Sequence, residues 1–148
     1  MEYRKDKRTK NLTLREIHVG DWVQVWSEQA ERYSPPLKII QICDDGTIYL
    51  VTCDEERPTP WEEDIKNVDA LPITPELLKG FGFEVTRVNK YYHSLSYDEK
   101  DLGYISETYT KGEFIISSKM LGYCSYMHKL STYLYSIEPN IKLEWKGI

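Results

Sequence analysis

The chain has 148 residues, of which 41% are apolar and 29% charged, and a formal net charge of −5 at pH 7. That balance supports a packed core in one domain or two small lobes, and it excludes wholesale disorder. No apolar run approaches the ~18–20 residues that span a bilayer, so no membrane partner is expected, and the acidity disfavours duplex nucleic acid.

Residues 1–11 read as a basic flexible arm. Arg4, Lys5, Lys7, Arg8 and Lys10 outweigh Glu2 and Asp6, and a charged terminus without apolar anchors frays. The same stretch lacks the apolar centre of a secretory signal. Cysteines stand at 43, 53 and 124. An odd number without CxxC spacing points to reduced thiols and a cytoplasmic setting.

Residues 12–53 read as a β lobe. His18-Val-Gly-Asp21 forms a turn, and Asp21 to Trp26 alternates as a strand. Val23 and Val25 share one face, and Trp22, Gln24 and Trp26 share the other. Residues 27–36 read as a loop closed by Ser34-Pro35-Pro36. Leu37–Ile42 and Thr47–Val51 then flank Asp44-Asp45-Gly46, and Asp-Gly between apolar runs is a strong hairpin signal. Three short strands arranged this way predict a small SH3-like β half-barrel. Residues 54–70 read as an acidic connector carrying Pro58, Pro60 and the isolated Trp61.

Residues 71–148 read as an α+β lobe that forms one compact unit with 12–53. Thr74 is a natural N-cap, Pro75 suits the first helical position, Glu76 complements the helix dipole, and Gly80 stops the turn. So short a helix needs pinning by Leu77, Leu78 and Phe81 or Phe83. A β-meander follows from Phe83 to Ser117, turning at Asn89-Lys90 and at Thr110-Lys111-Gly112. Met127, Leu130, Leu134 and Ile137 make one apolar stripe on a helix over about 125–137, which Pro139 ends. Ile141, Leu143 and Trp145 alternate with charged residues as a closing strand. The fold class is therefore α+β: the half-barrel, a short helix, the meander, then a helix plus strand.

Several of these segments resemble a loose group of small uncharacterised proteins of phages and mobile elements of gut bacteria. The segments are Leu14-Arg-Glu-Ile-His-Val-Gly-Asp-Trp-Val23, the Asp-Gly hairpin, Leu71-Pro-Ile-Thr-Pro-Glu-Leu-Leu78 with Gly82-Phe83, and His128-Lys-Leu130. The resemblance covers most of residues 12–137. Residues 84–117 match it only in strand and tyrosine content, and residues 1–10 and 54–64 have no counterpart. It implies origin and architecture rather than an activity. It makes a host-facing task, such as blocking a defence system in the host cytoplasm, the expected role.

No phosphate loop, nucleophile elbow, zincin, kinase or EF-hand pattern occurs. Gly80-Phe-Gly82 is too short for a dinucleotide loop and follows a helix. Cys124 and His128, four apart, are placed to share a helix face as a thiol–imidazole pair. No orienting third group accompanies them, so packing is the ordinary reading. His18, His93 and His128 have no ligand spacing, and Glu62-Glu63-Asp64 reads as a solvated acidic run. No catalytic residue, metal site or cofactor is expected.

What stands out is the aromatic content: 12 Tyr, 4 Trp and 3 Phe. If Val23 and Val25 fill the half-barrel, the Trp22 and Trp26 indoles project outward and need a cover. The chain itself is the commonest cover; a partner, a second copy or a ligand is the functional one. The candidate binding residues are Trp22, Trp26, Tyr33, Tyr49 and Trp61. The leading expectation is a non-enzymatic module that binds a host protein or itself. The alternatives are a binder of a small nucleotide-type ligand and a module for single-stranded nucleic acid.

Overall fold

The computed structural model describes residues 8–52, 59–118, 122–138 and 141–147. It is an α+β protein built mostly of antiparallel sheet, and the chain divides into two units, Met1–Leu71 and Pro72–Ile148. Among the described residues, no helix is long and apolar enough to cross a membrane.

The first unit contains β1 (Trp22–Ser27), β2 (Arg32–Tyr33), β3 (Leu37–Ile42), β4 (Thr47–Val51) and β5 (Trp61–Asp64). A 3₁₀ turn (Ile65–Asn67) and β6 (Val68–Asp69) complete it. The strand order is β2-β1-β3-β4-β5, and β6 returns to pair with β1. β1 is the shared strand. Trp22 and Val23 oppose β3, Gln24 and Val25 oppose β6, and Trp26 and Ser27 oppose β2. This return curls the sheet into a half-barrel. The predicted β3–β4 hairpin forms over the expected residues. Asp45 accepts from Thr47 N at 2.9 Å, and Gly46 takes φ +95°, a left-handed value that glycine adopts without strain. Asp64 caps the 3₁₀ turn by accepting from Lys66 N at 2.9 Å.

Three expectations change here. First, both faces of β1 are buried. Trp22 is 0% and Trp26 3% exposed, and Val23, Gln24 and Val25 are buried as well. The indoles do not project into solvent. Gln24 stands between them on the same face, and its amide donates to Ala70 O at 3.1 Å and Thr9 Oγ1 at 3.3 Å. The chain itself therefore covers that face.

Second, residues 61–69 are not a connector. They form β5, the 3₁₀ turn and β6, and β5 pairs with β4 from Thr47↔Asp64 to Leu50↔Trp61. Trp-Glu-Glu-Asp has no apolar alternation, so the backbone ladder along a sheet edge, not side-chain burial, makes it a strand. Cys53 to Pro58 lie outside the described residues.

Third, the arm is anchored from Arg8 onward. Ala70 N donates to Lys10 O at 2.7 Å, Leu12 N donates to Val68 O at 3.0 Å, and Asn11 bridges to Asp69. Residues 1–7 lie outside the described residues.

The second unit opens with α1 (Pro75–Gly80). Thr74 Oγ1 accepts from Leu77 N at 3.1 Å, as the capping signal predicts. Leu77, Leu78, Phe81 and Phe83 are all buried. A five-stranded meander follows: β7 (Glu84–Arg87), β8 (Tyr92–Tyr97), β9 (Lys100–Glu107), β10 (Phe114–Ser118) and β11 (Gly122–Cys124). A two-residue turn joins β8 to β9, with Asp98 at φ 50° and Glu99 at φ 66°. Tight hairpins need such values, but usually obtain them from Asn-Gly or Asp-Gly, which explains why Asp-Glu gives no turn signal. α2 (Met127–Ile137) buries Met127, Leu130 and Leu134. The Ile137 side chain and Pro139 lie outside the described residues.

The predicted closing strand is replaced by an unpaired extended tail. Leu143 is buried, Trp145 packs on Phe81 with ring centroids 5.0 Å apart, and Lys146 N donates to Gly80 O at 2.8 Å. The tail's alternation is real, but it serves helix packing rather than a ladder. Gly80 matters because a Cβ there would overlap the Trp145 ring. Gly80→Ala is expected to lower stability by about 1–3 kcal/mol through overpacking, seen as a drop in Tm. The penalty should shrink when Trp145→Ala is combined with it, because the two changes share one contact.

Candidate binding groove

The first unit carries a groove of about 1070 Å³ among its described residues. It is lined by the end of β1, the 28–30 turn, β2, Pro35, β5 and the 3₁₀ turn. Three aromatic residues line it. Trp26 and Tyr33 sit opposite each other across β1 and β2 and meet edge to face, with centroids 4.9 Å apart. Trp61, on the edge strand, is 42% exposed. Glu28, Arg32, Glu63 and Lys66 supply charge of both signs. Trp26 Nε1 is buried without a hydrogen-bond acceptor among the described residues.

Tyr33 also belongs to a polar cluster centred on Asp69, which is 0% exposed. Arg8 grips its carboxylate in two-point fashion, Nε to Oδ2 at 2.9 Å and Nη2 to Oδ1 at 2.6 Å. Asn11 Nδ2 donates to Oδ1 at 3.1 Å, and Tyr33 OH donates to Oδ2 at 2.7 Å. Tyr33 in turn accepts from Thr9 N at 2.6 Å. Arg8 Nη2 also reaches Lys66 O at 2.9 Å. The Asp69 carboxylate thus holds Tyr33 directly and the Lys66 backbone by way of Arg8, and both residues line the groove.

Burial, more than any partner, pushes the Tyr33 phenol up, and the hydrogen bond to Asp69 holds the Arg8 guanidinium even more firmly charged. A buried carboxylate stripped of its cation is poorly compensated. Arg8→Met is expected to cost about 2–4 kcal/mol, measurable by urea denaturation.

Of the candidate residues, the structure brings Trp26, Tyr33 and Trp61 to one groove. It does not bring the other two. Trp22 is sealed, and Tyr49 lies away from the groove, where its OH donates to Glu62 at 3.2 Å. That carboxylate pushes the Tyr49 phenol up. Arg8, Arg32, Lys66 and Asp69 were not among the candidates, since in sequence they read as ordinary surface charges. Asp69 had one signal: a lone acid between Val68 and Ala70-Leu71.

The Cys124–His128 pair does not have the expected geometry. Cys124 belongs to β11, and α2 begins only at Met127, so the two do not share a helix face. The thiol donates to Tyr126 O at 3.3 Å, and burial pushes it up. Because the fold favours the neutral thiol, its contribution to stability is full below the ordinary value of about 8.5 and fades as pH climbs through the raised one. His18 does serve its turn: its N–H donates to the Asp21 carboxylate at 2.8 Å, and its O accepts from Asp21 N at 3.1 Å. No three His, Cys, Asp or Glu side chains converge as a metal site among the described residues. At pH 8, iodoacetamide should alkylate Cys43 at least tenfold faster than buried Cys124, as followed by peptide mass spectrometry.

No family model matches the chain, and neither a curated protein nor a solved structure matches it.

Proposed function

We propose that the chain is a non-enzymatic binding module, an accessory protein of a phage or mobile element that holds a host protein in the groove of its first unit. The convergence on one groove of the exposed Trp61 and the half-buried Tyr33, with the buried Trp26 meeting Tyr33 edge to face, carries this reading. Trp, Tyr and Arg dominate binding hot spots because they offer large rigid contact areas with a polar handle. The Asp69 cluster holds the walls in place, so little ordering remains to be done on binding. The curled sheet, with a 3₁₀ turn before its returning strand, supports reading the unit as an SH3-like half-barrel. The open trough and mixed charge suit an extended polypeptide segment. The resemblance to mobile-element proteins supports a host partner in the host cytoplasm, with counter-defence as the finer form of the role.

The test compares the tagged chain with its Trp61→Ala variant in host lysate. A protein retained by the first and reduced at least tenfold by the second is the expected result. Equal retention, or none, overturns the reading. Trp61 is half exposed on an edge strand, so the variant should keep its far-UV circular dichroism.

A second reading rests on Arg32 and Lys66, which line the same groove as the rings. Rings stack a base and cations hold phosphates, so the groove would sequester a nucleotide. That reading requires thermal stabilisation by millimolar nucleotides, and a flat response across a nucleotide library retires it.

A further inference from the structure

The meander of the second unit presents a face of unusual chemistry. Residues directly opposite one another in a sheet point to the same side. The register aligns Thr86 with Ser94, Ser94 with Tyr104, Tyr104 with Ser117, and Ser117 with Tyr123. Each of the five strands therefore gives one hydroxyl-bearing side chain to a single row, at a spacing of ~4.8 Å per strand. The alternate row, Ile105, Ile116 and Cys124, is buried and faces the core. From β9 to β11 the sheet is apolar behind, and the hydroxyl row lies in front, where Tyr92 meets Tyr104 edge to face.

The front is not flat. Tyr104 and Tyr123 flank Ser117 from the two neighbouring strands, so their positions stand about two strand spacings apart. They are 50% and 78% exposed. Together with Asp101, Ser117 and Ser118 they line a hollow of about 700 Å³. Gly103, at φ +100°, also lines it, and a Cβ there would collide with Ser117 O. Gly122 lines it too. Small residues form the base, and two phenol rings form the sides.

We infer that this face binds a neutral polysaccharide. Aromatic ring faces stack on the C–H faces of a sugar ring, and hydroxyls donate and accept as sugar hydroxyls do. The Asp101 carboxylate adds an acceptor for O–H donors. The row holds no Lys or Arg, so a phosphate backbone finds no counter-charge. The row crosses the whole sheet, ~19 Å over four strand spacings, which fits an extended chain of sugars better than a single one. The site is independent of the groove in the first unit.

The test is native affinity electrophoresis in gels cast with hydroxyethylcellulose, galactomannan, soluble starch or dextran. The wild type should be retarded in at least one gel, and Trp61→Ala should be retarded equally. Tyr104→Ala and Tyr123→Ala should each reduce the retardation at least fivefold. No retardation in any of the four gels overturns the inference. So does retardation that both tyrosine variants retain. Should Tyr104→Ala alter the circular dichroism, Tyr123→Ala alone decides, since its ring is the more exposed.

Discussion

The carboxylate of Asp69 is the constraint on which the first unit depends. A fully buried charge is tolerable only when donors surround it, and Arg8, Asn11 and Tyr33 do so. Two of these donors come from the first turns of the described chain and one from β2, while the carboxylate itself sits on β6. The chain must therefore bring its early segment back to the last strand of the unit before the charge is satisfied. The same closure covers the Trp22–Gln24–Trp26 face and sets Tyr33 against Trp26. Stability and the shape of the groove share one origin.

The two units solve the problem of a small core differently. The first curls a sheet so that β1 is buried on both faces, with polar pairing at the seam. The second buries Ile105, Ile116 and Cys124 on one side of its meander and carries a row of hydroxyls on the other. The first arrangement suits a groove between strand ends, and the second suits a broad surface.

Much of the fold was legible wherever a local rule acts alone. The Asp-Gly hairpin, the Thr74-Pro75 cap and the Met127–Leu130–Leu134 stripe depend on neighbours in sequence, and each appears over the expected residues. Legibility failed where pairing at a distance decides. Trp61–Asp64 has the polarity of a loop and becomes a strand only because β4 offers a free edge. Arg8 resembles any other base in a charged terminus until Asp69, 61 residues away, is beside it. The two-residue Asp98-Glu99 turn uses residue types that rarely take positive φ, so composition did not mark it. The site was half legible for the same reason. Aromatic residues announced themselves, but the faces they occupy depend on what covers β1, and strand period alone does not specify that cover.

The hydrogen bond between Ala70 N and Lys10 O has a separate implication. It places Lys10 and Ala70, which bracket β1 to β6, side by side. A module whose ends coincide can be spliced into a surface loop of another protein without stretching either chain.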